Sequence, residues 1–434
     1  MNDFSNKNFD AIVVGTGPGG ATVARELAVK NKKVLILEWG GKPEIKGSIL
    51  QTAGMAGIPG KGILLTNKMV AIVRGITTGG SSIFYYATAF DPPLEMFRQY
   101  GIDISKEVEE IRSELPTAPL SGHLMGPMAK RIMESARSLG YQWSPLPKFI
   151  YQDKCRAGCG RCNLGCPYGA KWNARMFAEE AVDKGSVLIN GARVSRVLTE
   201  NRKAAGVVFT FRGREHRVYA PVTVIAAGGM GSPVILRASG IKGAGYDYFF
   251  DPLICVMGTV KDIKGGHEIP MAAGQRFEED GYVMTDMTVP RALYTAFTGQ
   301  VLRYDRLFSH SRTLQIMVKE KDSLGGSITD RGGVRKKLTE ADIKKLMHGY
   351  ERAKKILKNA GARHIFKSWY VAAHPGGTVK VNHLLDSNLQ TEYENLYVCD
   401  CSVIPEAWGL PPTFTLLALG KRLAKRLTQG ETKK

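Results

Sequence analysis

The stretch "FDAIVVGTGPGGATVARELAVKNKKVLILEWG", residues 9–40, constrains the fold more than any other. An apolar run from Ala11 to Val14 reads as a buried strand. Gly15, Gly17 and Gly20 follow, then an amphipathic helix, then a second apolar run from Val34 to Leu37 that ends at Glu38. Strand, tight glycine turn, helix and parallel strand form the start of a doubly wound sheet. The glycines let the backbone approach a pyrophosphate, which then sits on amides at the helix N-terminus. Glu38 falls 18 residues beyond Gly20, where a carboxylate reaches the ribose hydroxyls of an adenosine. The spacing predicts dinucleotide binding.

A second glycine-rich patch, "VAIVRGITTGGSSIFYYATAF" at 70–90, places Gly75, Gly79, Gly80, Ser81 and Ser82 between apolar flanks. It suits a loop whose backbone and hydroxyls touch a ligand. Residues 102–145 read as polar helix, and alternation from Ser186 to Val208 reads as strands. "VYAPVTVIAAGGMGSPVILRASGI" brings a buried strand, glycines and a helix, and returns the chain to the nucleotide-binding sheet. Residues 241–335 are strand-like and rich in Met, Tyr and Phe. Ile343, Leu346, Met347, Tyr350, Ala353, Ile356 and Leu357 share one face of a helix from Thr339 to Ala360. Thr339 and Asp342 offer a capping box there, and Gly361 a stop.

Taken in order, "RGITTGGSS", "IAAGGMGSPVILRASGI", "HPGGT" and "NLYVCDCSVIPEAWGLPPTFTLLALGKRLAKRL" resemble the glucose–methanol–choline (GMC) oxidoreductases. The resemblance covers both ends and the connecting signatures. It implies an α/β fold with a Rossmann-like FAD-binding domain, interleaved with an α+β substrate domain on a mostly antiparallel sheet. The expected division is FAD-binding segments 1–90, 175–240 and 385–434, a helical segment 91–150, a cysteine loop 151–174, and a substrate domain 241–384. By the same resemblance, Gly15, Gly17, Gly20 and Glu38 match the FAD diphosphate and ribose positions. Gly79, Gly80 and Ser81 match the loop beside the flavin, and Asp400 and Ser402 the family's D-x-S. His374 matches the catalytic histidine at the flavin's substrate face, where hydride passes from an alcohol carbon to flavin N5. One departure stands out. The family's second His or Asn falls at Pro411, whose side chain neither donates nor accepts. Tyr370, or a side chain of the substrate domain, is the expected substitute.

Four of the seven cysteines lie within twelve residues, in "CRAGCGRCNLGCPYGAK". Cys155, Cys159, Cys162 and Cys166 give C-x3-C-x2-C-x3-C-P, close to the ferredoxin run that binds cubane clusters. Gly158, Gly160, Gly165 and Gly169 let a short backbone fold round a bulky group. Structural zinc prefers two separated C-x2-C knuckles, and disulfides suit an oxidising compartment, so both stand behind an iron–sulfur cluster of [4Fe–4S] type. Some bacterial sugar dehydrogenases of the resembled family also carry a cluster near the flavin. Cys255 reads as a buried small residue, and Cys399 and Cys401 as packing around Asp400. His267 and His310 lie in the expected substrate domain.

A cluster accepts electrons singly, which favours a dehydrogenase that passes them to a protein carrier. The net charge of +20 suits an acidic carrier such as ferredoxin. Nucleic acid is excluded as a partner, because the basic residues are dispersed and no nucleic-acid-binding motif occurs. No 18-residue apolar run and no secretory profile occur, so a cytoplasmic location is expected, with peripheral membrane contact through "KRLAKRL". Met271, Phe277, Tyr282, Met284, Met287, Tyr294 and Phe297 suggest a pocket for a lipid-like or terpenoid alcohol, or else the substrate domain's core. Two alternatives follow from the same residues: a ferredoxin-dependent reductase of a C=C or C=O bond, and a non-catalytic flavin and iron–sulfur electron-transfer subunit.

Overall fold

The computed structural model describes residues 8–429. A parallel sheet carries the N-terminal fingerprint. Its strands run in the order Leu396–Val398, Val222–Ile225, Ala11–Val14, Val34–Glu38 and Val187–Asn190. Each central strand is buried on both faces, as the continuous apolar runs require. The helix Pro18–Val29 starts with proline at its first position and lies between the final helix Thr413–Gln429 and the helix Ala174–Asp183.

The second sheet has nine strands and is mostly antiparallel. Its centre is Pro252–Thr259 paired with Thr313–Glu320, which pairs in turn with Tyr282–Asp286. Directly opposed residues share a face. One face therefore carries Leu253, Cys255 and Met257 with Lys319, Met317 and Gln315. The other carries Ile254, Val256, Ile316 and Val318. That second face is covered by the helices Pro127–Ser138 and Glu340–Asn359 through Ile132, Leu346, Ala353 and Ile356. The long helix has the expected capping box: Thr339 Oγ1 accepts from Asp342 N, and Asp342 Oδ2 accepts from Thr339 N. The strands Ile63–Leu65 and Ala71–Val73, early in the chain, also belong to this second sheet. A three-stranded meander, Arg193–Tyr219, packs beside the parallel sheet.

Among the described residues, no helix is long and apolar enough to cross a membrane. Most of the basic side chains at the end of the final helix are engaged within the chain. Lys421 pairs with Glu26 and Glu114, Lys425 pairs with Glu107 and Glu110, and Arg422 donates to Ser387 O.

Candidate active site

The fingerprint loop is built as its glycines predict. Gly15 has φ +101°, and a Cβ there would clash with the carbonyl of Ala226. A Cβ on Gly20 would clash with the carbonyl of Gly15, so Gly20 seats the helix on the turn. Gly17 differs: nothing lies within 4 Å of its would-be Cβ. The second glycine loop faces it, and a Cβ on Gly80 would come within 3.3 Å of Gly17 Cα. Two backbone walls without side chains thus face each other.

Thr16 ties this cradle together. Its N and Oγ1 donate to Glu38 Oε2 at 3.0 and 2.6 Å, and its Oγ1 accepts from Gly79 N at 2.9 Å. Glu38 Oε1 accepts from Gly40 N. Burial raises the Glu38 carboxyl above its usual range, against the pull of these donors. Ser81 Oγ accepts from Gly75 N, and Ser82 Oγ from Ala174 N. At the far edge, Asp400 accepts from Gly228 N and Ser232 Oγ through Oδ2, and from Ser402 N through Oδ1. Asp400 thereby clamps "AAGGMGSP" to "CDCS". Among the described residues, buried Ser402 Oγ has no hydrogen-bond partner.

His374 lies beyond the strand Val371–Ala372, at one end of the second sheet. Its backbone N donates to Phe250 O, and the Cys401 thiol donates to its carbonyl. His374 Nδ1 is 3.1 Å from Asp251 Oδ2 and 3.2 Å from Lys319 Nζ, while those two groups pair at 3.5 Å. Asp251 and Lys319 side chains are each 1% exposed, whereas that of His374 is 24% exposed. Among the described residues, His374 Nε2 has no hydrogen-bond partner. Burial, then the Lys319 charge, pulls His374 down to about 4, although Asp251 works the other way. Burial also pulls Lys319 down to about 8.

The sheet face that carries Lys319 is mostly apolar. Leu253, Cys255, Met257, Met317, Met271, Met287, Tyr294, Phe297 and Leu410 form one buried cluster. Buried Gln315 Nε2 and Thr285 Oγ1 have no partners in it. The Met/Tyr/Phe-rich stretch is therefore divided. Met271, Met287, Tyr294 and Phe297 join this cluster, while Tyr282, Met284 and Phe277 pack in the main core behind the sheet. Tyr370 packs against the main core and against a third cluster with Leu64, Ile72 and Phe250. Asp251 and Lys319 are the polar groups beside His374. The sequence had one signal for Lys319, a lysine inside a strand buried at every position. His310 is structural, with its ring on Tyr294 and Nε2 against Val289 O at 2.7 Å.

The cysteine loop is closed at its base by Ile150 paired with Lys171, with Tyr151 N donating to Ala170 O and Trp172 N to Phe149 O. Cys162 is buried, and Cys155, Cys159 and Cys166 are partly exposed. Burial, then the other three thiols as thiolates, pushes Cys155 up to about 12. Burial also pushes Cys162 up to about 11, opposed by Lys171 and Lys148. Lys171 Nζ donates to the carbonyls of Cys162, Ile83 and Tyr85 at 2.7 to 3.0 Å, which ties this loop to the second glycine loop. As the side chains stand, however, no three His, Cys, Asp or Glu among the described residues form a group that could hold a metal ion. The expected cluster thus gains no support from the placement of the thiols.

Known proteins share this architecture. The GMC oxidoreductase family matches in two parts, its N-terminal domain over residues 9–246 and its C-terminal domain over residues 333–420. The chain belongs to the GMC oxidoreductases. It is an FAD-dependent oxidoreductase. A GMC-type oxidoreductase of Mycobacterium tuberculosis is 26% identical, over 96% of this chain and 75% of its own. A long-chain-alcohol oxidase of Arabidopsis thaliana is 22% identical, over 97% and 68%. Among solved structures, a pyridoxine 4-oxidase aligns over 97% of this chain and 99% of its own, with TM-score 0.72 and 16% identity. A formate oxidase of Aspergillus oryzae aligns over 99% of each, with TM-score 0.75 and 15% identity. The GMC scaffold explains why two glycine walls and the Asp400 clamp converge, and the bare backbone at Gly17 and Gly80 fits a bound diphosphate.

Proposed function

We propose that this GMC enzyme oxidises an apolar, lipid-like alcohol, with His374 as the group that takes the hydroxyl proton. The observation that carries the reading is a partly exposed imidazole at the end of a buried apolar sheet face. FAD, when bound, supplies the hydride acceptor. The chain's own part is to hold the alcohol carbon and keep water away, through Met317, Met257, Phe297 and Leu410. His374 Nε2 accepts the proton while the carbon becomes a carbonyl. In this reading Gly15, Gly17, Gly20, Gly79, Gly80 and Ser81 cradle the cofactor, Glu38 binds its ribose, and Asp400 and Ser402 hold the flavin end. Segments 8–62, 74–90, 175–240 and 385–429 make the FAD-binding part, and 241–384, joined by the strands Ile63–Leu65 and Ala71–Val73, the substrate part. The name of the Arabidopsis relatives, long-chain-alcohol oxidases, supports the substrate class.

The finer part of the proposal concerns the acceptor. Cys155, Cys159, Cys162 and Cys166 would hold an iron–sulfur cluster, whose chemistry is one-electron transfer. The four cysteines share one short loop, and the Lys171 link joins that loop to the second glycine loop. A protein carrier such as ferredoxin would then take the electrons. One anaerobic preparation tests both parts. The FAD-loaded protein should hold about four iron and four sulfide per chain, as four cysteine ligands imply. Adding 1-dodecanol should bleach the flavin band, and glucose should not. Bleaching without iron would keep the alcohol reading and remove the relay. Iron without bleaching, but with reoxidation of the reduced flavin by an enone or aldehyde, would favour the reductase reading.

A further inference from the structure

By the family resemblance, Pro411 would leave this site with one polar side chain where the family has two, and the sheet supplies a different neighbour. Lys319 stands directly opposite Leu253 and Val283, on the apolar face. No solvent reaches it. Among the described residues, its ammonium pairs with Asp251 Oδ2 and lies 3.2 Å from His374 Nδ1. A buried ammonium is retained only with a counter-charge such as Asp251. Asp251 is itself held from behind. Its backbone N donates to Asp322 Oδ1, and Asp322 pairs with buried Lys336 at 2.8 Å. The groups facing His374 are therefore Asp251 from the start of its strand, Lys319 from the next strand, and the Cys401 thiol from the turn after Asp400. Asp251 favours a proton on the ring and Lys319 opposes a second one.

We propose that Lys319 is a positioning residue for His374: its charge keeps the imidazole neutral, while Asp251 accepts from Nδ1–H and so leaves Nε2 open to the substrate hydroxyl. The inference rests on the reading of His374 as proton acceptor. It places the charge control behind the ring, where the family's second side chain at position 411 would act in front of it. It makes His374 a base that is unprotonated throughout the neutral range. It also explains why a lysine sits in a mostly apolar wall.

The test reads the ring itself and needs no substrate. FAD-loaded protein is labelled with 13C at histidine Cε1 and titrated by NMR. The His374 signal is the one of eight that disappears in His374→Asn. Lys319→Met should raise the His374 midpoint by about one pH unit or more, since a nearby cation is lost. Asp251→Asn should lower it, so that the signal does not titrate above about pH 4. Lys319→Arg should keep it near the wild-type value. Opposite shifts from two neutralising substitutions support the proposal. Shifts of the same sign, or none, overturn it, because packing defects alone do not change sign with the charge removed. If Lys319→Met fails to retain FAD, Lys319→Gln carries the same prediction. Failure of dodecanol oxidation would remove the role of His374 and leave these midpoints unchanged, so the two failures are separable.

Discussion

Gly17 and Gly19 stand two residues apart and answer opposite demands. A Cβ on Gly19 would clash with the carbonyl of Cys399, in the strand end that leads to Asp400. A Cβ on Gly17 would meet no protein atom within 4 Å. Gly17→Val should therefore fold, with an apo melting temperature near that of the wild type, yet bind FAD about tenfold more weakly or worse, a loss of roughly 1.4 kcal/mol. Gly19→Val should lower the melting temperature of the apoprotein itself. Flavin absorbance per chain and a thermal melt separate the two. If Gly17→Val keeps its FAD, the diphosphate does not lie against this glycine. Glycines of this kind are legible in a sequence because their spacing is local. Lys319 is not. Its strand is buried at every position, so no alternation marks a face, and only the register against Leu253 and Val283 turns it toward His374.

The helix Glu340–Asn359 backs the sheet that carries Lys319, and its start is a junction. Asp342 closes the capping box with Thr339 and also accepts from Ser323 N and Ser323 Oγ at 3.0 and 2.9 Å. Ser323 follows directly on Asp322, which holds Asp251 in place. Thr339→Ala should cost about 1 kcal/mol, a lost cap alone. Asp342→Ala should cost more, about 2–3 kcal/mol, because it also leaves the Ser323 donors unmet. Chemical denaturation checks the order, and equal losses would mean that the link to Ser323 carries no weight. The sequence predicts this helix well, since its periodicity and cap lie within one segment. It predicts less well the strands Ile63–Leu65 and Ala71–Val73, whose place in the second sheet depends on pairing with Val371–Ala372, about three hundred residues away. The cysteine loop lies between these cases. Its spacing names four thiols, but spacing does not fix where their sulfurs point.

At the scale of the whole chain, two sheets divide the work and one charge surrounds them. In the proposed reading the parallel sheet and the two glycine loops form the cradle, and the antiparallel sheet presents His374 and the apolar wall. Sixty Lys and Arg against forty Asp and Glu leave +20. The final helix holds two of its lysines, Lys421 and Lys425, in ion pairs with Glu26, Glu107, Glu110 and Glu114. A dispersed positive field acts on diffusing partners rather than at one contact. If the electron acceptor is an acidic protein, the field speeds its encounter, and added salt screens it. The Debye length falls from about 30 Å at 0.01 M salt to about 8 Å at 0.15 M. The rate of reduction of an acidic ferredoxin by the alcohol-reduced enzyme should then fall about tenfold or more between low and physiological salt. The rate with a neutral quinone should stay level, because a neutral acceptor feels no such steering. Equal slopes for the two acceptors would detach the charge from electron transfer and leave the quinone, or oxygen, as the acceptor to pursue. A steep slope for ferredoxin alone would join the surface charge and the cysteine loop into one exit route, since a carrier drawn to the surface needs a one-electron donor near it.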